Sequence, residues 1–151
     1  MKYLSIGLLV LLCHFSVSAN QQSEKDLITQ VVKNYLIAQH KIQEPLMDGA
    51  LHEKLKKRTY WKANTGDEFI METSRNTMLL VAKNYNKSGT KFPNSPRVEV
   101  QVFDIDERVA SVKLTADDWI DYMHLVKTES GNWKILNVLW QYHDTSKHIS
   151  K

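Results

Sequence analysis

Apolar residues recur at every second position through the last third of the chain, from Arg97 to His143. This alternation is typical of strands that bury one face and expose the other. Short polar stretches divide the pattern into segments, and short connections between consecutive strands require antiparallel pairing. We therefore predict a meander of four strands, at residues 97–104, 108–116, 119–127 and 133–142.

Ahead of the meander, the spacing of apolar residues changes to that of a helix. The sequence Ser23-Glu-Lys-Asp26 resembles a capping box, and Pro45 is expected to end the helix that follows it. The apolar stripe consists of Leu27, Val31, Tyr35 and Ala38, flanked by Ile28, Val32 and Ile42. A first helix from about Ser23 to Gln43 is therefore predicted.

Two shorter helices are predicted between this helix and the meander. Pro45 suits the first turn of a second helix, which we expect to end near Arg58. The sequence Thr65-Gly-Asp-Glu68 is another capping box, and it opens a third helix that reaches Tyr85. This order of elements predicts an α+β domain in which three N-terminal helices pack on one face of a strongly curved antiparallel sheet.

The first 19 residues have the organisation of an export signal. One lysine precedes an apolar core, and small residues frame a cleavage point after Ala19. The apolar stretch is too short for a membrane span, although a retained anchor is the alternative. We expect a periplasmic or secreted protein with no stable membrane insertion after the signal is removed. Cys13, the only cysteine, would leave with the signal, so the mature chain would form no disulfide.

Charge and composition exclude few functions. The chain has 20 basic and 17 acidic side chains, and the signal contains one of the basic ones, Lys2. This near balance argues against binding to nucleic acid. We interpret the basic run Lys54-Leu-Lys-Lys-Arg58 as a solvated face of the second helix. No repeat or linker divides residues 20–151, so we predict a single domain with a loose C-terminal tail from about Asp144.

Three segments carry a resemblance to a known family. They are Ala110-Ser-Val-Lys-Leu114, Asp121-Tyr-Met-His-Leu-Val-Lys127 and Ser130-Gly-Asn-Trp-Lys-Ile-Leu-Asn-Val-Leu-Trp140. Together with the order of three helices and a meander, they resemble the nuclear transport factor 2-like superfamily, a cystatin-like cone, and within it the putative lumazine-binding family. The resemblance covers nearly the whole chain after residue 20. One departure is Glu53 after His52, where relatives often have proline.

The resemblance implies a cavity between the curved sheet and the helices. Members of the superfamily use this cavity to bind a small molecule or to run acid-base chemistry such as isomerisation, dehydration or polyketide cyclisation. The fold does not choose between these uses, because function depends on the side chains that line the cavity.

The last two strands form a hairpin whose register follows from its turn. If Ser130-Gly131 is a two-residue turn, the opposed pairs are Asp121 with Trp140, Tyr122 with Leu139, and His124 with Asn137. The predicted pocket face then carries Ile120, Tyr122, His124, Val126, Trp133, Ile135, Asn137 and Leu139. The opposite face, with Trp119 and Trp140, is half apolar and is a candidate surface for a homodimer.

His124 is a candidate general acid or base, because an imidazole exchanges protons near neutral pH. The alternative is a sheet histidine that hydrogen-bonds to Asn137 or Tyr122. We favour this alternative because no carboxylate lies on the same predicted face.

Asp121 is a second catalytic candidate, as a buried base beside apolar neighbours such as Trp140. Pairing with Lys113 or Arg108 on the adjacent strand is the alternative.

Other candidate ligand-binding residues lie outside the predicted catalytic pair. His52 and Arg58 would share one short helix and can bind an anionic group, or serve as surface or capping residues. The tryptophans of the last two strands can stack on a flat heterocycle, or belong to the core; they are Trp119, Trp133 and Trp140. No pair of histidines or cysteines has metal-ligand spacing and no glycine-rich phosphate loop is present, so we predict neither metal nor cofactor.

Three hypotheses about function follow. The first is an exported domain that binds a small hydrophobic or heterocyclic molecule. The second is a cofactor-independent isomerase, dehydratase or cyclase that uses Asp121 or His124, with Tyr122 as a hydrogen-bond donor. The third is a homodimeric interaction module that uses the face with Trp119 and Trp140.

Overall fold

A computed structural model describes the backbone of residues 4–150 and the side chains of residues 21–150. The helices are α1 (Leu4–Lys41), α2 (Glu44–Ala50) and α3 (Arg75–Asn84). The strands are β1 (Leu51–Lys62), β2 (Glu68–Ser74), β3 (Glu99–Ile105), β4 (Val109–Thr115), β5 (Trp119–Lys127) and β6 (Trp133–Tyr142). The signal predicted at residues 1–19 lies outside the described side chains, and its cleavage stays a prediction. In the described part of the chain, no helix combines the length and apolarity needed to cross a membrane.

The six strands form one curved, open sheet in the order β2-β1-β6-β5-β4-β3, and three helices pack against it. The α+β fold class is therefore confirmed. Strands β3 to β6 form the predicted antiparallel meander. Strands β1 and β2 form an additional hairpin, which joins the meander through a parallel pairing of β1 with β6. This parallel pair is a difference from the fully antiparallel sheet that the sequence suggests.

The predicted second helix is too long. Helix α2 does begin with Pro45 in its first turn, but it ends at Ala50, and β1 follows at once. Within β1, Leu55, Lys57 and Thr59 are buried while their neighbours are more exposed, which is the period of a strand. The basic run at residues 54–58 is therefore not a solvated helix face, because every second side chain in it points into the protein.

The predicted start of the third helix is also wrong. Thr65 donates a hydrogen bond to the Asp67 carboxylate at 2.8 Å, and Gly66 has a φ of +96° that suits a tight turn. This turn joins β1 to β2, so the capping-box pattern at Thr65 belongs to a hairpin. Helix α3 begins seven residues after Glu68, and its cap is Ser74, whose hydroxyl accepts from the Thr77 N–H.

Helix α1 covers the inner face of the sheet. Among its described side chains, the fully buried ones are Ile28, Val32, Tyr35, Leu36 and Ala38. The predicted stripe is therefore displaced by one position at its start, since Leu27 is 50% exposed, and Ile42 lies beyond the helix and is also exposed. The predicted helix at residues 23–43 lies within α1 except for its last two residues. Glu24 fixes the helix to the sheet, because it accepts hydrogen bonds from Lys127 at 2.7 Å and from the Trp133 indole at 2.6 Å.

The register predicted for the last hairpin is confirmed. Asp121 pairs with Trp140, Tyr122 with Leu139, and His124 with Asn137. Closer to the turn the register shifts by one residue, because Leu125 pairs with Ile135 and leaves Leu136 as a bulge. The connection is a five-residue loop that contains Gly131 at φ +83°, rather than a two-residue turn.

The predicted pocket face of β5 is the wrong one, because the helices cover the opposite face. Trp119, Asp121, Met123 and Leu125 point to the helices, whereas Tyr122 is 45% exposed on the outer face. Because one extra residue moves side chains to the other face, the bulge places Trp133 and Ile135 on the inner face too. The face with Trp119 and Trp140 lies under the helices, so the predicted homodimer surface is misplaced, while a homodimer as such stays a prediction.

The C-terminal segment, defined here as residues 144–150, is docked rather than loose. After a 3-10 turn at Thr145–Lys147, the His148 carbonyl accepts from the Lys62 N–H at 2.9 Å. The Ser150 N–H donates to the Lys62 carbonyl at 2.9 Å, and Ile149 forms a parallel bridge with Lys62. His148 itself is 3% exposed, so the segment packs onto the end of β1.

Candidate functional site

A pocket of about 190 Å³ lies between α3 and the inner face of the sheet. It opens beside α3 and ends on side chains of α1, β1, β5 and β6. The lining residues are Gln39, Lys57, Thr73, Thr77, Met78, Val81, Tyr85, Trp119, Trp140 and Tyr142. Most of this surface is aromatic or aliphatic, and Lys57 supplies the one formal charge among the lining side chains. We call this space the inner pocket.

A buried ion pair stands at the end of the inner pocket. Lys57 donates to the Asp121 carboxylate at 2.6 Å and to the Tyr35 hydroxyl at 2.8 Å. The second carboxylate oxygen of Asp121 accepts from the Trp119 indole at 2.8 Å. The side chain of Asp121 is fully buried and that of Lys57 is 9% exposed. Each charge is therefore compensated by direct hydrogen bonds, as a buried charge must be.

Burial changes the proton affinities of this cluster. It lowers the pKa of Lys57 from the ordinary value, and the adjacent Asp121 carboxylate opposes that change. Burial also raises the pKa of Tyr35 well above its ordinary value, and the charge of Asp121 adds to this effect. The Tyr35 hydroxyl therefore remains protonated at neutral pH.

Strand alternation explains why these residues meet. Lys57 follows Leu55 by two positions on β1, and Asp121 follows Trp119 by two on β5, so all four point inward. The two charged residues are 64 positions apart in sequence and are brought together by the pairing of β1 and β5 with β6. Tyr35 closes the cluster from the buried face of α1.

Trp140 forms one wall of the inner pocket. The Lys57 ammonium nitrogen lies 4.7 Å from the centre of the Trp140 ring, within the range of a cation–π contact. The Trp140 indole N–H is buried and has no hydrogen-bond partner within the described residues. A desolvated donor without a partner costs about 1–3 kcal/mol, so an acceptor that reached this group would recover free energy.

The cluster is better suited to recognition than to proton transfer. Both oxygens of Asp121 already accept a hydrogen bond, so a reacting proton would have to share an oxygen with Lys57 or with Trp119. An ammonium carries three N–H donors, and two of those on Lys57 are used by Asp121 and Tyr35. The third can donate to a ligand in the inner pocket. Within the described residues, no group of three potential ligands could hold a metal ion.

Three predicted site residues, Asp121, Trp119 and Trp140, belong to the inner pocket or to the ion pair at its end. The partner of Asp121 is Lys57 and not Lys113 or Arg108. Lys113 instead lies over the ring of Tyr122 on the outer face of the sheet.

Three further predicted residues, Tyr122, His124 and Asn137, lie on the outer face. His124 and Asn137 line a surface depression of about 340 Å³ together with Asp104 and Asp106. Tyr122 stacks with Phe103 at a ring separation of 6.3 Å. The sheet separates these side chains from the inner pocket. The prediction that Tyr122 and His124 line a cavity covered by the helices is therefore wrong.

The remaining predicted residues lie apart from both cavities. Trp133 is buried, and its indole N–H is bound to Glu24. The His52 ring accepts from the Lys54 N–H at 3.1 Å near the start of β1. Arg58 forms an ion pair with Glu72 at 2.9 Å on the outer face. Because both His52 and Arg58 are on a strand, they do not share a helix as predicted.

Sequence analysis did not identify Lys57, Tyr35 or Gln39 as site residues. The signal for Lys57 was present, because Leu55, Lys57 and Thr59 occupy alternate positions and two of the three are of types common in strand interiors. A charged residue in such a register is a candidate for a buried, paired group. Tyr35 and Gln39 carry no comparable signal, since a tyrosine in an apolar stripe is ordinary.

Comparison with known proteins agrees with this architecture. Residues 23–141 match the family described as putative lumazine-binding. An NTF-2-like protein of unknown function from Silicibacter pomeroyi DSS-3 superimposes with a TM-score of 0.66 at 14% identity, over 82% of this chain and 98% of that one. A ketosteroid isomerase-like protein from Erwinia carotovora atroseptica gives 0.53 at 12% identity, over 79% and 95%.

A hexachlorocyclohexane dehydrochlorinase also superimposes, with a TM-score of 0.53 at 10% identity, over 83% of this chain and 89% of that one. Identities this low establish a shared fold alone. A comparison with curated proteins finds no match.

Proposed function

Because the chain belongs to the putative lumazine-binding family of the nuclear transport factor 2-like superfamily, we propose that it is an exported protein that binds a small, flat heterocycle in the inner pocket. Export rests on the organisation of residues 1–19, and the choice of pocket rests on its lining.

The observation that carries the proposal is an aromatic pocket with a single compensated charge at its end. Trp119, Trp140, Tyr85 and Tyr142 supply faces on which a planar ring can stack. Lys57 supplies a hydrogen-bond donor that fixes orientation. Apolar walls with few, convergent polar groups are the usual composition of a small-molecule site.

The size of the inner pocket limits the ligand. Its volume of about 190 Å³ lies below the roughly 300–1,000 Å³ of pockets for drug-sized molecules. A cavity of about 150 Å³ is known to hold benzene, so the inner pocket fits one ring or a compact fused pair. A ligand with a ring carbonyl or ring nitrogen would accept from the Lys57 ammonium.

Acid-base catalysis at Asp121 has less support, because its carboxylate is fully buried against Lys57 and Trp119 and does not line the inner pocket. For His124 the obstacle is location, since its side chain is exposed on the outer face of the sheet. The binding function is therefore preferred over an isomerase or dehydratase.

A fluorescence titration of lumazine with the purified protein tests the proposal. We expect saturable binding of one lumazine per chain, with a Kd below about 1 mM, which corresponds to a binding free energy of about 4 kcal/mol or more. Single-ring pyrimidines should compete, because they offer the same ring carbonyls. The proposed function would be rejected if the fluorescence signal showed no saturation as lumazine is added. The same result would have to hold for a panel of other one-ring and two-ring heterocycles.

A further inference from the structure

The inner pocket shares its aromatic wall with the C-terminal segment. Trp140 and Tyr142 line the pocket, and the imidazole of His148 packs against both of them. The ring-centre distances from His148 are 5.4 Å to Trp140, 5.1 Å to Tyr142, 5.3 Å to Trp61 and 4.5 Å to Tyr60. The docked segment therefore supports the pocket wall from its far side.

The hydrogen bonds of His148 require the neutral imidazole. Its Nε2 atom accepts from the backbone N–H of Tyr142 at 2.8 Å, so this nitrogen cannot carry a proton. Its Nδ1 atom lies 3.1 Å from the carbonyl oxygen of Tyr60, to which it donates. One ring thus joins the end of β6 to the end of β1. Protonation would turn the acceptor into a donor that faces another donor.

We propose that His148 is a positioning residue of the inner pocket, and that its neutral ring holds Trp140 and Tyr142 in place for a ligand. Acidification then releases the C-terminal segment and weakens ligand binding. The effect on ligand binding rests on the proposed function, whereas the release of the segment does not depend on any ligand.

The charges around His148 do not favour an imidazolium. The ionisable groups on the neighbouring elements include Tyr60 and Lys62 of β1, Tyr142 and His143 at the end of β6, Asp118 before β5, and Asp144 and Lys147 of the segment itself. The Asp118 carboxylate forms an ion pair with the Lys147 ammonium at 3.5 Å, and the Asp144 carboxylate accepts a hydrogen bond from the Ser146 hydroxyl at 2.6 Å. Within residues 21–150, no carboxylate forms a hydrogen bond with the His148 ring.

The direction of the pH effect follows from proton linkage. Burial lowers the pKa of His148 from its ordinary value of about 6.5, and the bond to the Tyr60 carbonyl opposes this only in part. The docked segment therefore binds fewer protons than the released one near and below that ordinary pKa. Docking is fully favourable above about pH 6.5 and weakens as the pH falls from there.

Amide NMR of the full chain without ligand tests the release directly. The signals of Lys62, Tyr142 and Ser150 report the backbone contacts of the segment. We expect them to move together in one transition that begins near about pH 6.5 and develops as the pH falls, both in the wild type and in His143→Gln. His143→Gln is the control, because His143 is in the same part of the chain but its ring contacts the Ala116 carbonyl. We expect no such transition in His148→Gln, which cannot titrate. A wild type without the transition, or the same transition in His148→Gln, would overturn the proposal.

Lumazine affinity at the same pH values tests the positioning role. For the wild type we expect affinity to fall with acid by up to about tenfold per pH unit, the limit for a single coupled proton. His148→Gln should bind with an affinity that does not follow this pH dependence. If the segment is released and lumazine affinity is unchanged, His148 does not position the pocket. If lumazine binds at no pH, the proposed function fails, while the amide signals still decide whether the segment is released.

Discussion

Replacing Lys57 with alanine is expected to lower the free energy of unfolding by about 3–5 kcal/mol, because it leaves Asp121 as an uncompensated charge in the protein interior. The Asp121 carboxylate would keep the Trp119 N–H as its partner but would lose its counter-ion. The Tyr35 hydroxyl would lose a donor at the same time.

Urea unfolding at neutral pH measures this loss. Lys56→Ala is the matched control, because Lys56 is the adjacent residue of the same strand and pairs with Glu72 on the solvated face. An exposed pair contributes about 0–1 kcal/mol, so the two alanine variants should differ by several kcal/mol. Replacing Lys57 with methionine and Asp121 with leucine together should restore much of the loss, since no charge stays buried. Equal effects of Lys57→Ala and Lys56→Ala would show that the buried pair is not formed.

Replacing Trp140 with leucine is expected to weaken lumazine binding by about 5-fold to 150-fold. Stacking of a flat base on an aromatic side chain is worth about 1–3 kcal/mol, and about 1.4 kcal/mol corresponds to a tenfold change in Kd. Leucine keeps an apolar wall but provides no ring face.

The control for this prediction is Trp133→Leu. Trp133 is a buried tryptophan of the same strand, but it contacts Glu24 and does not line the inner pocket. Both variants lose stability, so near-UV circular dichroism should first establish that each is folded at the temperature of the titration. If Trp133→Leu weakens binding as much as Trp140→Leu does, the ligand is not held against Trp140.

The meander could be predicted because its alternation is long and its turns are short. The predicted pairing of Asp121 with Trp140 is confirmed, although the loop is longer than the assumed two-residue turn, because the bulge at Leu136 shifts the register back by one residue. Strand β1 could not be predicted in the same way, because Leu51 and Leu55 are four residues apart and fit a helix as well as a strand. The adjacent Lys56 and Lys57 obscure the alternation further.

The location of the site could not be predicted, because it depends on which face of the sheet the helices cover. The period of a strand assigns residues to two faces but does not say which face is inside. The bulge at Leu136 adds a second ambiguity, since it moves Trp133 to the opposite face. Asp121 was therefore recognised as a candidate, while its partner Lys57, 64 residues away, was not.

The central claim is that the inner pocket holds a small molecule, and native mass spectrometry of gently purified protein tests it most directly. The wild type is compared with Thr77→Trp, which places a large side chain on the exposed pocket rim, and with Leu80→Trp, which adds the same side chain to α3 outside the pocket. We predict a reproducible small-molecule adduct on the wild type and on Leu80→Trp, and its loss from Thr77→Trp. An adduct that Thr77→Trp retains to the same extent would place the ligand elsewhere and contradict the account.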